Sequence, residues 1–303
     1  MRLLNALALP LVLTVLVGCG DKDNSFPFRS LAAEPTGEAI KIKYDMQPGD
    51  AVRLKLHGTG HVSVSAGKGL DTDLVQDIEM VMRCLQRLPD GGAELEYEVA
   101  AFSMSMPGAP EAAIASQAFD AMVGSKVKVQ LGPDGRVKAV DTGDLPGAGS
   151  AKIEELFNTP GFQSFVPMPE GGMRVGEAID ISKVMPKEAL EELMAKSVPG
   201  AAMKPELNGE MVLKAVREVD GEQAAEFAVN VVLNLDATLS KGGESADMDM
   251  GMRISGTSLV SLRTGMPVGT GGYRVEMRMD MEAGDTEMAM NMHMDMQFTA
   301  TRE

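Results

Sequence analysis

Methionine is the residue whose type and spacing in this sequence most need a chemical explanation. Methionines occupy every second position in three stretches of the C-terminal half, and a shorter version of the pattern stands in the N-terminal half. The residues of this pattern are Met80, Met82, Met104, Met106, Met248, Met250, Met252, Met277, Met279, Met281, Met288, Met290, Met292, Met294 and Met296. Thioether side chains adapt to irregular apolar partners because they are flexible and polarisable, and they are also soft ligands that select Cu(I).

Three interpretations fit these stripes: the ordinary core of a half-buried sheet, the lining of a groove that holds an acyl chain or another apolar ligand, or a Cu(I) or Ag(I) site. For the metal, Met292, His293 and Met294 superficially resemble the Met/His clusters of periplasmic copper proteins. In an extended strand, however, His293 points away from both methionines. Of these interpretations we expect an apolar ligand in a methionine-lined groove, because methionine adapts to partners of irregular shape. A structural or adaptor role through protein contacts is the alternative, and metal binding is the third.

Other catalytic or metal chemistry has little support in the sequence. No serine nucleophile elbow, His-Glu-x-x-His motif or phosphate-binding glycine loop is present. His57 and His61 flank a Gly-Thr-Gly stretch that we expect to be a tight turn, and two surface histidines fit this spacing better than a metal site. Cys84 lies on the apolar side of an alternating run and is expected to be a buried, unreactive thiol. The sequence predicts no enzyme and no cofactor.

The elements that must position the methionines are β-strands, because apolar and polar residues alternate along most of the chain. Turn signals that contain glycine separate several strands, at residues 89–92, 132–135 and 283–286. Long amphipathic strands with one apolar face favour an antiparallel sheet that curls. The expected architecture is mainly β, in the α+β class, with a long-stranded antiparallel sheet or half-barrel.

Three short segments break the alternation and are predicted to be helices that the sheet wraps. They span residues 111–123, 150–158 and 186–197. The last has the clearest signals, because proline occupies its first helical position, acidic residues follow early and a lysine stands near its end.

The chain after its N-terminal region is interpreted as one β-rich domain, residues 37–303, made of two similar halves, about 37–165 and 166–303. Residues 79–88 (EMVMRCLQRL) are echoed by residues 210–219 (EMVLKAVREV), and an Asp-Gly turn follows each run. We interpret this similarity as an internal duplication in which each half is an antiparallel meander.

The acidic character of the chain limits its partners. The 303 residues carry a formal net charge of −16, and the pI is about 4.7. Such a protein is repelled by nucleic acid and by anionic lipid surfaces, so we expect no nucleic-acid partner and no flat adsorption to a membrane.

The first residues have the pattern of an export signal. Arg2 precedes an apolar run, residues 3–17, that is too short to span a bilayer comfortably. The run ends in Leu16-Val17-Gly18-Cys19, which resembles the lipobox of bacterial lipoproteins. The resemblance implies cleavage before Cys19 and a diacylglyceryl group on its thiol. Because Gly20 and not aspartate follows, it also implies sorting to the periplasmic face of a Gram-negative outer membrane.

The predicted cleavage before Cys19 divides the N-terminal region into two parts. Residues 1–18 are the predicted signal peptide, and residues 19–36 are expected to be a flexible tether because they are charged, contain proline and show no periodicity. The membrane is thus an expected partner through the lipid on Cys19. The sequence does not decide whether there is also a protein partner.

A second resemblance rests on turn sequences. Pro48-Gly49-Asp50, the hairpin at residues 132–137, Val175-Gly176-Glu177 and residues 258–267 (SLVSLRTGMP) together look like a poorly characterised group of bacterial secreted and lipid-anchored β-proteins. The layout is also similar to the LolA, LolB and LppX lipoproteins, in which a half-open antiparallel barrel wraps short helices and holds acyl chains. This likeness of architecture implies a lipid-binding function by analogy.

Overall fold

The computed structural model describes residues 24–65, 69–108, 123–143, 168–185, 187–188, 190–191, 201–241, 244–283 and 286–303. This part of the chain is mainly antiparallel β-structure, which confirms the predicted class. Its strands are β1 (Thr36–Ile40), β2 (Ala51–Val64), β3 (Leu70–Arg87), β4 (Ala93–Ser105), β5 (Lys126–Leu131), β6 (Val137–Asp141), β7 (Met173–Val175), β8 (Ala178–Asp180), β9 (Ala201–Val219), β10 (Glu222–Lys241), β11 (Glu244–Ser261), β12 (Gly269–Ala283) and β13 (Thr286–Arg302).

Eleven of the strands form one antiparallel sheet in the order β6-β5-β4-β3-β2-β13-β12-β11-β10-β9-β8, and β1 pairs with β7 in a separate ribbon. The sheet is not closed, since β6 and β8 stand at its edges. The order places a meander from each predicted half side by side, and β2 and β13 join them. Internal duplication of the sequence itself stays a prediction.

The long hairpins are closed by the turn residues that the sequence supplies. Val219 pairs with Glu222 across a two-residue loop, and both loop residues, Asp220 and Gly221, have positive φ. That conformation matches the twist of the flanking strands and favours Asp-Gly. Gly91 likewise has a φ of 87° in the turn between β3 and β4.

The tight turn expected between His57 and His61 is wrong, because β2 runs through it as one strand of 14 residues. The glycines serve a different purpose there. A Cβ atom at Gly60 would lie 2.2 Å from the carbonyl oxygen of His293, and one at Gly58 would lie 3.3 Å from Met294 Sδ. Glycine is therefore required at Gly60 by the close approach of β13.

Three short helices are not supported. Among the described residues one helix is defined, α1 (Ile181–Val184), and the Asp180 side chain caps it by accepting from the amide of Ser182. Four residues of the predicted helix at 186–197 are described, and all four are helical. The predictions for 111–123 and 150–158 lie outside the described residues, except for Val123 in a turn. No helix of the described chain is long and apolar enough to cross a bilayer.

The sheet curls around an irregular segment, residues 41–46, which we call the plug. The Lys43 amide donates to the Leu262 carbonyl oxygen at 2.8 Å, after β11. Tyr44 lies against Gly135, between β5 and β6, where an added Cβ would come within 2.3 Å of its ring. Strands β5 and β11 stand six places apart, about 29 Å in a flat sheet. Because the plug contacts the ends of both, the sheet must bend around it.

The two larger apolar clusters of the described residues lie in this interior, towards opposite ends of the strands. The mixed cluster includes the plug and residues of both meanders, among them Leu95, Leu213 and Phe227. It lies at the end where β3 turns into β4 and β9 into β10, which we call the plugged end. The methionine cluster lies towards the other end, which we call the methionine end, where β10 turns into β11 and β12 into β13.

Candidate ligand-binding face

The strand register brings nine methionines of β11, β12 and β13 into three rows on one face of the sheet. Each row contains one methionine from each strand, and the residues of a row are direct cross-strand partners. The rows are Met252–Met277–Met292, Met250–Met279–Met290 and Met248–Met281–Met288. Side chains of such partners touch one another, so the thioethers form a continuous surface.

This surface is mostly buried and extends beyond the three strands. Met277 and Met279 are 2% and 1% exposed. Met250 and Met292 are partly buried at its margin. The aliphatic neighbours in the same cluster are Val62, Leu74, Leu235 and Ala237. Leu190, from the predicted third helix, packs with Leu233 and Met252 on this face.

The structure divides the predicted groove residues between the two clusters. Met104 and Met106 pack against the methionine cluster, as the stripe pattern implies. Met80 and Met82 instead belong to the mixed cluster. Their strand, β3, has its methionines near the plugged end and Leu74 near the methionine end. Spacing along a strand predicts the face of the sheet but not the position along its length.

His293 lies on the opposite face from Met292 and Met294, because β13 is extended throughout. Its direct cross-strand partner is His61, and the two rings stack with centroids 5.9 Å apart. His61 Nε2 lies 2.7 Å from Asp71 Oδ1. No three His, Cys, Asp or Glu side chains are placed to hold a metal ion in the part of the chain that the structure describes.

Cys84 is a buried thiol of the mixed cluster, as the sequence predicts. Burial, together with the negative charge of Asp50, raises the pKa of the Cys84 thiol. The thiolate is the reactive form, so this position is chemically inert.

The outer, polar face of the second meander carries a segment that the sequence analysis placed in the flexible tether. Residues 24–33, which we call the strap, cross β12, β11, β10 and β9. Asn24 Nδ2 donates to Asp280 Oδ2 at 2.9 Å, and the Phe26 amide donates to Asn234 Oδ1 at 3.1 Å. The Ala33 amide donates to the Gly176 carbonyl oxygen at 3.0 Å, beyond β9. These residues are therefore held on the sheet.

Phe26 is the main anchor of the strap. Its side chain is 5% exposed. The guanidinium carbons of Arg253 and Arg278 lie 4.9 and 4.6 Å from its ring centroid. Gly251 provides the space, because an added Cβ would lie 2.1 Å from the Asn24 carbonyl oxygen. Cation–π contact with both guanidinium groups and burial of the ring together hold this residue.

The rest of the strap is bonded by buried polar side chains. Glu210 is 6% exposed and accepts from the Ser30 hydroxyl at 2.8 Å and from the amide of Leu31. The Asn230 side chain donates to the Arg29 carbonyl oxygen at 2.6 Å. Buried polar groups are costly unless they have such partners. The sequence signal that was available is the pair of aromatic residues Phe26 and Phe28 in a stretch without periodicity.

A shallow depression of about 480 Å³ lies on the outer face, beside the beginning of the strap. It is mainly polar and acidic, and so differs from the apolar lining that an acyl chain requires. Its lining residues are Ala202, Lys204, Asp236, Ala237, Thr238, Asp247, Met248, Asp249, Asp280, Met281 and Glu282.

No protein-family model matches the chain, and no curated protein matches it. Among solved structures, the chain is similar to an exported protein of Bacteroides fragilis that is described as having a YmcC-like fold. The identity is 9%, the TM-score is 0.15, and the alignment covers 83% of this chain and 96% of the other. A similarity at this TM-score carries no argument about fold or function.

Proposed function

We propose that the chain is an exported lipoprotein, anchored to the outer membrane through Cys19, that binds an acyl chain or another apolar ligand on its methionine face. The observation that carries this proposal is the set of three methionine rows, which form one continuous surface away from the plug. The proposed function is non-catalytic, and it is supported by the thioether and aliphatic side chains that make up the methionine cluster.

The use of methionine in place of leucine, isoleucine or valine on this face favours a role in ligand binding over a role in stability alone. Leucine, isoleucine and valine have well-defined rotamers and specify a tighter core, and β-branched residues also fit strands better. Methionine has three rotatable bonds and repacks around partners of variable shape. Met250 and Met292 within the rows, and Met104 and Met106 beside them, are only partly buried, and a ligand would first make contact there.

The proposal is tested by native mass spectrometry of the full mature chain, produced in a Gram-negative host and released in a mild detergent. We expect a mass excess that organic solvent removes and that fragments as phospholipid or fatty acid. Replacing Met250→Gln together with Met292→Gln should reduce the retained lipid several-fold, because each change places an amide on the apolar surface.

The matched control is Met168→Gln, which changes a partly buried methionine that packs on the mixed cluster. This variant should retain lipid like the wild type. A lipid-free mass that stays unchanged after incubation with phospholipid vesicles would contradict the proposal and direct attention to the adaptor role. An equal loss in the Met168→Gln variant would show that the methionine face is not the binding surface.

Binding of Cu(I) or Ag(I) is a second candidate, and the strand register favours it. Each row brings three thioethers from three strands side by side, and soft ligands of this kind select monovalent copper. The test is titration with Ag(I) against a competing chelator, read by native mass spectrometry. Met279→Leu with Met290→Leu should lose the metal, and Met173→Leu, in the mixed cluster, should not. An absence of bound metal in the wild type would exclude this candidate.

A further inference from the structure

The strap limits how far the protein can lie from its lipid anchor. Its first bonded residue is Asn24, which is held by Asp280 on β12. Five residue steps separate Cys19 from Asn24, so the two Cα atoms are at most about 18 Å apart whatever path the chain takes. A flexible segment from Cys19 to residue 36 would allow about three times this reach.

The position of Asp280 along β12 decides which end of the sheet the anchor can reach. Only three residues separate Asp280 from Ala283, where β12 ends at the methionine end, a distance of about 10 Å. Eleven residues separate it from Gly269 at the plugged end, a distance of about 36 Å. An anchor within about 18 Å of Asn24 therefore reaches the methionine end and not the plugged end.

The charge of the outer face disfavours a protein that lies flat on this surface. Around the beginning of the strap, five carboxylates outnumber the three cations Lys204, Arg253 and Arg278. The carboxylates are Asp236, Asp247, Asp249, Asp280 and Glu282. Anionic headgroups repel such a surface and attract basic ones. The sheet is then held with its methionine end, and not its outer face, towards the bilayer.

We infer that the strap holds the methionine end of the interior at the bilayer that contains the lipid on Cys19, and that the ligand is an acyl chain of a phospholipid from that bilayer. The inference rests on the proposed function for the identity of the ligand, and on lipidation of Cys19 for the orientation. The strap then has a role. Because it is bound to the sheet and lies close to Cys19 in sequence, it determines which end of the sheet faces the bilayer.

The orientation is tested with a fluorophore on single introduced cysteines in the full lipidated chain, reconstituted into vesicles that contain nitroxide-labelled phospholipid. Ala202→Cys and Glu218→Cys are suitable because both residues are exposed and lie on β9 at opposite ends, about 50 Å apart. Cys84 is buried and stays unlabelled. We expect the label at Ala202 to be quenched at least threefold more than the label at Glu218.

Equal quenching of the two labels, or stronger quenching at Glu218, would overturn the orientation. A flexible insertion of about 20 Gly and Ser residues between Asp23 and Asn24 leaves the strap contacts in place and raises the maximum reach from Cys19 to Asn24 by about 70 Å, more than the length of the sheet. We expect this insertion to remove most of the difference between the labels. A difference that survives the insertion would show that the strap does not set the orientation.

The source of the ligand is tested separately, with the same protein in vesicles of isotopically labelled phospholipid. Native mass spectrometry after release should find labelled lipid on the protein, and several-fold less on the variant with the insertion. Unlabelled host lipid alone would overturn the inferred source while leaving lipid binding intact. Preferential quenching at Ala202 without any bound lipid would support the orientation and contradict the proposed function, so the two failures are distinguishable.

Discussion

The two ends of the curled sheet are filled by different means. At the plugged end, Leu95, Leu213 and Phe227 are fully buried, and the plug closes the space between them. At the methionine end, six of the eleven buried residues of the cluster are methionines. The methionines Met104, Met106, Met250, Met292 and Met296 border them as partly buried residues. The mixed cluster also contains six methionines, but among 27 buried residues that are otherwise mostly aliphatic and aromatic. One end is therefore packed mainly by side chains of defined shape, and the other mainly by side chains that adapt.

The difference in side-chain type gives the two ends of one sheet different properties, namely stability at the plugged end and adaptability at the methionine end. Aliphatic and aromatic side chains of defined rotamer give a single close-packed arrangement. Thioether side chains exchange rotamers at little cost and so accept more than one arrangement. We interpret the plugged end as the part that specifies the fold and the methionine end as the part that can admit a ligand.

The largest expected effect compares a truncation at each end. Leu213→Ala should destabilise the protein by about 4 kcal/mol, because its rigid neighbours leave a cavity. Met279→Ala should cost about 2 kcal/mol, because the surrounding methionines can move into the space. Both free energies of unfolding are measured by urea denaturation of the full chain. Equal costs would remove the proposed distinction between the two ends.

The strap should contribute less than the plugged end but more than single surface contacts. Phe26→Ala removes a buried ring that contacts two guanidinium groups and should cost about 2–3 kcal/mol. Hydrogen exchange of residues 24–33 should become fast, while exchange in the mixed cluster should stay slow. Phe28→Ala is the control, because Phe28 is 37% exposed and its loss should change little. Unchanged protection of the strap in Phe26→Ala would show that the ring does not hold it.

Much of this architecture follows from local sequence pattern, and the predictions that were wrong failed for a physical reason. Alternation places Met277, Met279 and Met281 on one face of a strand, and β12 shows that face buried. Alternation cannot show that β13 pairs with β2, because this contact joins residues more than 200 positions apart. The same limit hid the purpose of Gly60, which was read as a turn residue although the nearby backbone of β13 requires it.

The candidate site was predictable as a set of residues but not as a surface. The rows depend on cross-strand register, which the spacing of methionines in β11, β12 and β13 does not fix. The strap was missed because its partners, Glu210, Asn230 and Arg253, lie about 180 to 230 residues away in sequence. A polar segment with such partners looks like a linker until the sheet is assembled.

A volume-conserving substitution should distinguish the contribution of methionine to core packing from its contribution to ligand binding. Met277→Leu with Met279→Leu should alter the free energy of unfolding by less than about 1.5 kcal/mol, because leucine fills a similar volume. The same change should narrow the range of acyl chains retained in native mass spectra, because leucine repacks less freely. Met80→Leu with Met82→Leu, in the mixed cluster, is the control and should leave that range unchanged. An unchanged range in the first variant would mean that methionine flexibility is not used.

The smallest expected effect concerns the fastening of the plug. Arg263 Nη1 and Nη2 donate to Asp50 Oδ2 and Oδ1, each at 2.9 Å, and Nη1 also donates to the carbonyl oxygen of Asp45 in the plug. Partial burial alone would raise the pKa of Asp50. The hydrogen bonds from Arg263 and the Gln47 amide, with the charge of Arg263, outweigh it and lower the pKa. A lowered carboxylate pKa adds stability above the unfolded value of about 3.9, and this stability is lost as the pH falls through the folded value.

Asp50→Asn should therefore cost about 1 kcal/mol at pH 7, the size expected of a partly exposed ion pair. The difference from the wild type should shrink as the pH falls through the lowered pKa of Asp50, because the carboxyl group of the wild type then becomes protonated as well. Urea denaturation of both proteins as a function of pH measures the effect. Lipid retention at pH 7 should be unchanged, because the proposed binding surface lies at the methionine end. A loss of lipid retention in this variant would mean that the plug helps to shape the methionine end, and the two ends would then have to be treated as one cooperative core.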